Sequence, residues 1–71
     1  MTEQKFLARL GARVKEIRMT KTISQHELAL RCNFEKASMS RIESGKTNIT
    51  VLTLRKVSKA LDADMSDFFI G

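Results

Sequence analysis

The chain has 71 residues, three glycines, no proline and a formal net charge of +5, and a chain of that length holds one domain with one modest core. Its hydrophobic fraction of 42% and charged fraction of 30% are those of an ordinary globular protein. No apolar run reaches membrane-spanning length, which excludes a transmembrane helix. Cys32 is the single cysteine, so no intrachain disulfide can form, and a reducing compartment fits. Met1 to Lys5 lacks the apolar segment of a signal peptide, and the expected location is the cytoplasm.

The positive charge is unevenly spread. Residues 1–46 carry ten Lys/Arg against five Asp/Glu, whereas residues 47–71 carry three of each. A one-sided basic field attracts polyanions and speeds their association. A surface tuned only for solubility gives the same total, so charge alone does not decide between the two.

In chain order, Phe6, Leu10, Val14 and Ile17 recur at spacings of four, four and three, which predicts one face of a helix from about Thr2 to Thr20. Ser24 followed by Glu27 reads as a capping box opening a second helix, Gln25 to about Arg31, with Leu28 and Ala29 facing inward. Arg31-Cys32-Asn33-Phe34 reads as a tight turn, because asparagine tolerates positive φ best after glycine. A third helix is expected from Glu35 to about Ser44, buried through Met39 and Ile42 and closed by Gly45. Thr50 then caps a fourth helix through Leu61, with Leu54, Val57 and Leu61 on its core face and Val51 near its start. A last short helix or turn runs from Asp64 to about Phe69. The expected architecture is a single all-α domain over residues 1–71, a compact five-helix bundle without a sheet.

No enzymatic constellation stands out. His26 is the single histidine, so histidine-based metal sites and triads lack partners; a solvated side chain at a helix start is the expected reading. Cys32 reads as a small buried apolar residue beneath the turn. Gly45-Lys46-Thr47 lacks the upstream glycine and strand of a phosphate-binding loop. Neither a metal, a cofactor nor a catalytic activity is expected.

What remains is a pair of short helices joined by a tight turn. A helix-turn-helix braces its first helix on the DNA backbone and sets its second in the major groove. Closely crossing helices need a small contact residue, supplied by Ala29. The turn needs a left-handed residue, supplied by Asn33, and the second helix needs apolar anchors, supplied by Leu28, Met39 and Ile42. Their mutual spacing makes the combination specific.

Ser24-Gln25-His26-Glu27-Leu28-Ala29 and Met39-Ser40-Arg41-Ile42-Glu43-Ser44-Gly45-Lys46-Thr47 resemble the Cro/C1-type (Xre) helix-turn-helix family, which includes lambdoid phage repressors and restriction–modification controller proteins. The likeness continues through Leu52 to Leu61 and on to Phe68-Phe69, covering roughly residues 10–69. The resemblance implies a compact five-helix domain that binds double-stranded DNA. It implies that Gln25 binds a phosphate and braces the recognition helix, and that Lys36, Ala37, Ser38 and Arg41 read base edges. Ser44, Lys46 and Asn48 match phosphate-contacting positions. Arg18 and Glu43 match a partly buried ion pair tying helix 1 to the end of helix 3, the alternative being two unrelated surface charges.

Chemistry supports these assignments. Residues 36, 37, 40 and 41 lie opposite Met39 and Ile42 on a helix. Arg41 can bond guanine O6 and N7 bidentately, Lys36 can reach a guanine or a phosphate, and Ala37 leaves room for a thymine methyl. Three residues depart from the family pattern. Thr22 stands where glycine or asparagine is usual, so that turn is expected to be built differently. Glu35 stands where Ser or Thr commonly caps, and Ile49 replaces a common proline.

Met65, Phe68, Phe69 and Ile70 form an apolar tail suited to a two-fold interface, with packing on Phe6 and Leu7 of helix 1 as the alternative. A homodimer would set two recognition helices about 34 Å apart on a palindromic operator. The expected function is a dimeric transcriptional regulator, repressor or autoregulator. The competing reading is an antitoxin-like interaction module that also binds its own promoter; no toxin-covering extension is seen before Gly71, which favours the regulator.

Overall fold

The computed structural model describes residues 2–69. Four α-helices, α1 (Glu3–Thr20), α2 (Gln25–Cys32), α3 (Lys36–Ser44) and α4 (Val51–Leu61), precede a 3-10 helix at Met65–Phe69. The segment expected as a fifth helix is thus a 3-10 turn. Within five residues only one i→i+4 bond can close, so helix propagation returns little against the cost of nucleation. This turn is held instead by Asp67 N–H donating to the Asp64 carbonyl at 3.0 Å and by Arg13 Nε donating to the Asp67 carbonyl at 2.7 Å.

The helix ends follow one plan. Thr2, Ser24 and Thr50 each accept from the backbone N–H three residues on, satisfying an orphan donor of the first turn. Glu35, at the corresponding position of α3, makes no side-chain cap bond. The reciprocal arm of the expected capping box is replaced, because the Glu27 carboxylate accepts from Arg31 Nε at 3.2 Å.

Each helix then closes through a left-handed residue: Thr22, Asn33, Gly45 and Asp62. After each, the next amide reaches back five residues. Ile23 donates to Arg18 O, Phe34 to Ala29 O, Lys46 to Arg41 O and Ala63 to Ser58 O, all at 2.8–3.1 Å. This is the Schellman arrangement, four times over. Thr22 adopts it at φ 55°, so the first turn is built in the usual way despite its β-branched residue, and carries strain.

Leu10, Val14 and Ile17 of α1, Leu28, Ala29 and Cys32 of α2, Met39 and Ile42 of α3, and Leu54, Val57 and Leu61 of α4 form one core, joined by Phe68. Two residues expected on core faces lie outside it: Phe6 is 48% and Val51 76% exposed. Both sit in the first turn of their helices, which overhangs the core. Gly11 governs how closely α1 meets α3, since a Cβ there would lie 2.2 Å from the Ile42 carbonyl oxygen. Gly45, the C-cap of α3, meets α1 in turn. It combines φ 74° with a would-be Cβ 2.5 Å from Ala8 Cα, so neither glycine can be replaced without moving backbone.

Candidate nucleic-acid interface

α3 is anchored from behind by Met39, Ile42 and Glu43, all buried. That leaves Lys36, Ala37, Ser38, Ser40, Arg41 and Ser44 exposed. The helical period places Ala37, Arg41 and Ser44 at the centre of the outward face, with Ser38 on one flank and Ser40 toward the other.

Beneath α3 lies a charged network. Arg18 Nε donates to Glu43 Oε2 at 2.7 Å and Nη2 to Oε1 at 3.1 Å. Arg18 Nη1 donates to the Ile23 carbonyl at 2.8 Å, which ties the α1–α2 turn to the same residue. Gln25 Nε2 donates to Glu43 Oε1 at 3.1 Å. No buried side-chain nitrogen or oxygen among the described residues lacks a partner, the condition under which a buried charged network is tolerated. Gln25 therefore braces α3 through Glu43, a bond that spacing alone does not reveal, and its second amide hydrogen remains for a ligand.

The residues after α3 are more constrained than their polarity implies. Ser44 Oγ donates to the Ser40 carbonyl at 2.9 Å. The Lys46 amide is committed to Arg41 O at 2.9 Å, so Lys46 offers its ammonium and not its backbone. Asn48 is exposed. Ser38 and Arg41 share with Phe34, Thr47, Asn48 and Thr53 the wall of a groove of about 250 Å³ along one flank of α3. Phe34 and Thr53 were not singled out from sequence. The available signal was the Thr50 cap, which fixes Thr53 one turn into α4 and bonds it hydroxyl to hydroxyl at 2.9 Å.

Other residues play quieter parts. His26 is exposed. Cys32 is buried, its Sγ 3.9 Å from the Lys56 carbonyl; burial pushes its thiol pKa up, partly countered by the Lys56 ammonium. Of the apolar tail, Phe68 is 3% exposed and packs in its own chain's core, Met65 is half-buried against that core, and Phe69 is 59% exposed. Ile70 lies outside the described residues. No described helix is long and apolar enough to cross a membrane.

Comparison with known proteins places this geometry. The helix-turn-helix family model matches residues 14–68. The chain is 36% identical over 58 residues to control protein C.BamHI of Bacillus amyloliquefaciens, covering 80% of this chain and 72% of that protein. It is 34% identical over 62 residues to control protein C.MunI of a Mycoplasma species, covering 86% and 84%. The crystal structure of the restriction–modification controller protein C.AhdI from Aeromonas hydrophila superposes with a TM-score of 0.88 at 28% identity, over 92% of this chain and 98% of that one. The chain therefore belongs to the Xre (Cro/C1-type) helix-turn-helix family of DNA-binding regulators, alongside the restriction–modification control proteins and not among enzymes.

Proposed function

We propose that the chain is a homodimeric, sequence-specific DNA-binding regulator that controls transcription from a palindromic operator, in the setting its control-protein relatives name: restriction–modification. The carrying observation is α3 itself. Its apolar anchors and Glu43 are buried while Lys36, Ala37, Ser38 and Arg41 all face solvent on a helix braced by Arg18 and Gln25. In the major groove, Arg41 can donate two hydrogen bonds to a guanine edge and Ala37 can meet a thymine methyl. Gln25, Ser44, Lys46 and Asn48 then position the backbone through phosphates, which fixes register without reading sequence.

Dimerisation rests on the tail. With Phe68 committed to the core, Phe69 and the half-buried Met65 are the described apolar groups of this tail that remain to meet a second copy, with Ile70 following them in sequence. Two-fold symmetry then sets the two α3 helices about 34 Å apart. The regulator works in the cytoplasm, where the DNA lies. Selection of bound duplexes from a random pool tests the whole reading. A recovered palindrome with half-sites one helical turn apart is expected. A set of bound sequences with no common element would refute sequence-specific binding, and a single asymmetric site would refute the dimer.

A further inference from the structure

The groove along the Ser38–Arg41 flank of α3 has a wall that does not belong to the helix-turn-helix. Thr53 of α4 lines it, and Lys56 follows one turn later on the same helix, beside the groove. The Lys56 ammonium sits 6.0 Å above the ring centroid of Phe34, which itself lines the groove. Lys56 is exposed and makes no salt bridge among the described residues, whereas Arg13, Arg18 and Arg31 are each paired with a glutamate. A cation resting on an aromatic face beside α3 is partly ordered and still lacks an anion.

Geometry supplies one. Gln25 and Glu43 occupy one flank of α3, and by the helical period Ser38 and Ile42 lie on the other. A helix about 10–12 Å across fills a major groove about 12 Å wide, so the two sugar–phosphate strands run past the two flanks. Gln25 meets one strand. We propose that Lys56, with the Thr53 hydroxyl one turn earlier on the same helix, binds a backbone phosphate of the other strand, giving this protein a phosphate contact on α4. The Thr53 hydroxyl is suited to the task. Its oxygen accepts from Thr50 Oγ1 at 2.9 Å, so its own hydrogen is free to point into the groove. The contact rests on the DNA-binding reading above and deepens it. It is sequence-independent, adding affinity without adding discrimination.

The test is the salt dependence of binding, measured for the full chain on the selected operator and on a random duplex of equal length. Lys56→Gln is compared with Lys56→Arg and with Lys15→Gln, an exposed lysine on the outer face of α1. Removing one phosphate contact is expected to lower the slope of log K against log salt by about 0.9 per protomer. Affinity should fall by roughly fivefold to tenfold per protomer at 0.1 M salt on both duplexes alike. Lys56→Arg should keep the wild-type slope, and so should Lys15→Gln. A Lys56→Gln slope equal to wild type would overturn the proposal while leaving the regulator reading intact. So would a loss confined to the operator, which would make Lys56 a base reader. A wild-type chain that binds neither duplex would overturn both.

Discussion

Arg18 and Glu43, separated by 25 residues, meet side-on in two hydrogen bonds of 2.7 and 3.1 Å, their side chains only 10% and 3% exposed. The pair joins the end of α1 to the end of α3, and through Gln25 it also fixes the start of α2. Three helices thus converge on one carboxylate. Arg18→Met or Glu43→Gln alone leaves a desolvated group without its partner and should cost about 3–5 kcal/mol in chemical denaturation. The double replacement Arg18→Met/Glu43→Leu should recover part of that loss, because no charge is then stranded. Equal losses in single and double variants would show that the pair acts only through packing.

Thr22 holds φ 55°, a conformation that costs a β-branched residue about 1–2 kcal/mol. Thr22→Asn or Thr22→Gly should therefore stabilise the chain by about 1 kcal/mol, raising Tm by roughly 4–8 °C for a domain of this size. Thr22→Val keeps the β-branch and should give no gain. A fall in Tm with asparagine would show that the Thr22 side chain contributes more than its strain costs.

Glu35 occupies the N-cap of α3 without capping it. Glu35→Ser supplies an oxygen for the free first-turn amides and should add about 1 kcal/mol of stability. It also removes a negative charge next to Lys36, so affinity for DNA of any sequence should rise. Unchanged thermal stability would show that solvent satisfies those amides equally well.

Cys32 is buried beneath the turn before α3, and desolvation raises its thiol pKa above the ordinary 9.0. The neutral thiol should react slowly with alkylating reagents at neutral pH in the folded protein and quickly once the chain is unfolded. The linkage has a definite sign. A raised folded-state pKa makes the thiol's contribution fully present below 9.0 and lost as pH climbs through the elevated value. Rapid alkylation without unfolding would place Cys32 at the surface.

Local chemistry made much of this fold readable. Ser24 and Thr50 as caps, Asn33 and Gly45 as left-handed terminators, and Met39 and Ile42 as anchors depend on neighbours within one helical turn, where residue type decides geometry. What failed depended on distant parts of the chain. Phe6 and Val51 fit their helical stripes but lie where the helices overhang the core. Phe68, left open in sequence between a two-fold interface and packing within its own chain, is drawn inside by elements far back in sequence. The role of Gly11, under the Ile42 carbonyl, exists only once α1 and α3 have met.

The same division holds at the site. The exposed set on α3 follows largely from the period of its anchors, so Lys36, Ala37, Ser40 and Arg41 were legible as outward residues, while Ser38, on the flank, came from the family resemblance. The bond from Gln25 to Glu43 and the commitment of the Lys46 amide to the helix end were not. Both are hydrogen bonds whose partners the sequence pattern leaves open.

Arg41 carries the most direct test. Arg41→Ala keeps every core residue and every described cap, so its Tm should match wild type. Each bidentate arginine–guanine contact contributes about 1–3 kcal/mol of discrimination. The ratio of operator to random-duplex affinity should therefore fall roughly tenfold or more per half-site, with random-duplex binding changed far less. A variant that folds normally and keeps the wild-type ratio would contradict base reading by the outward face of α3.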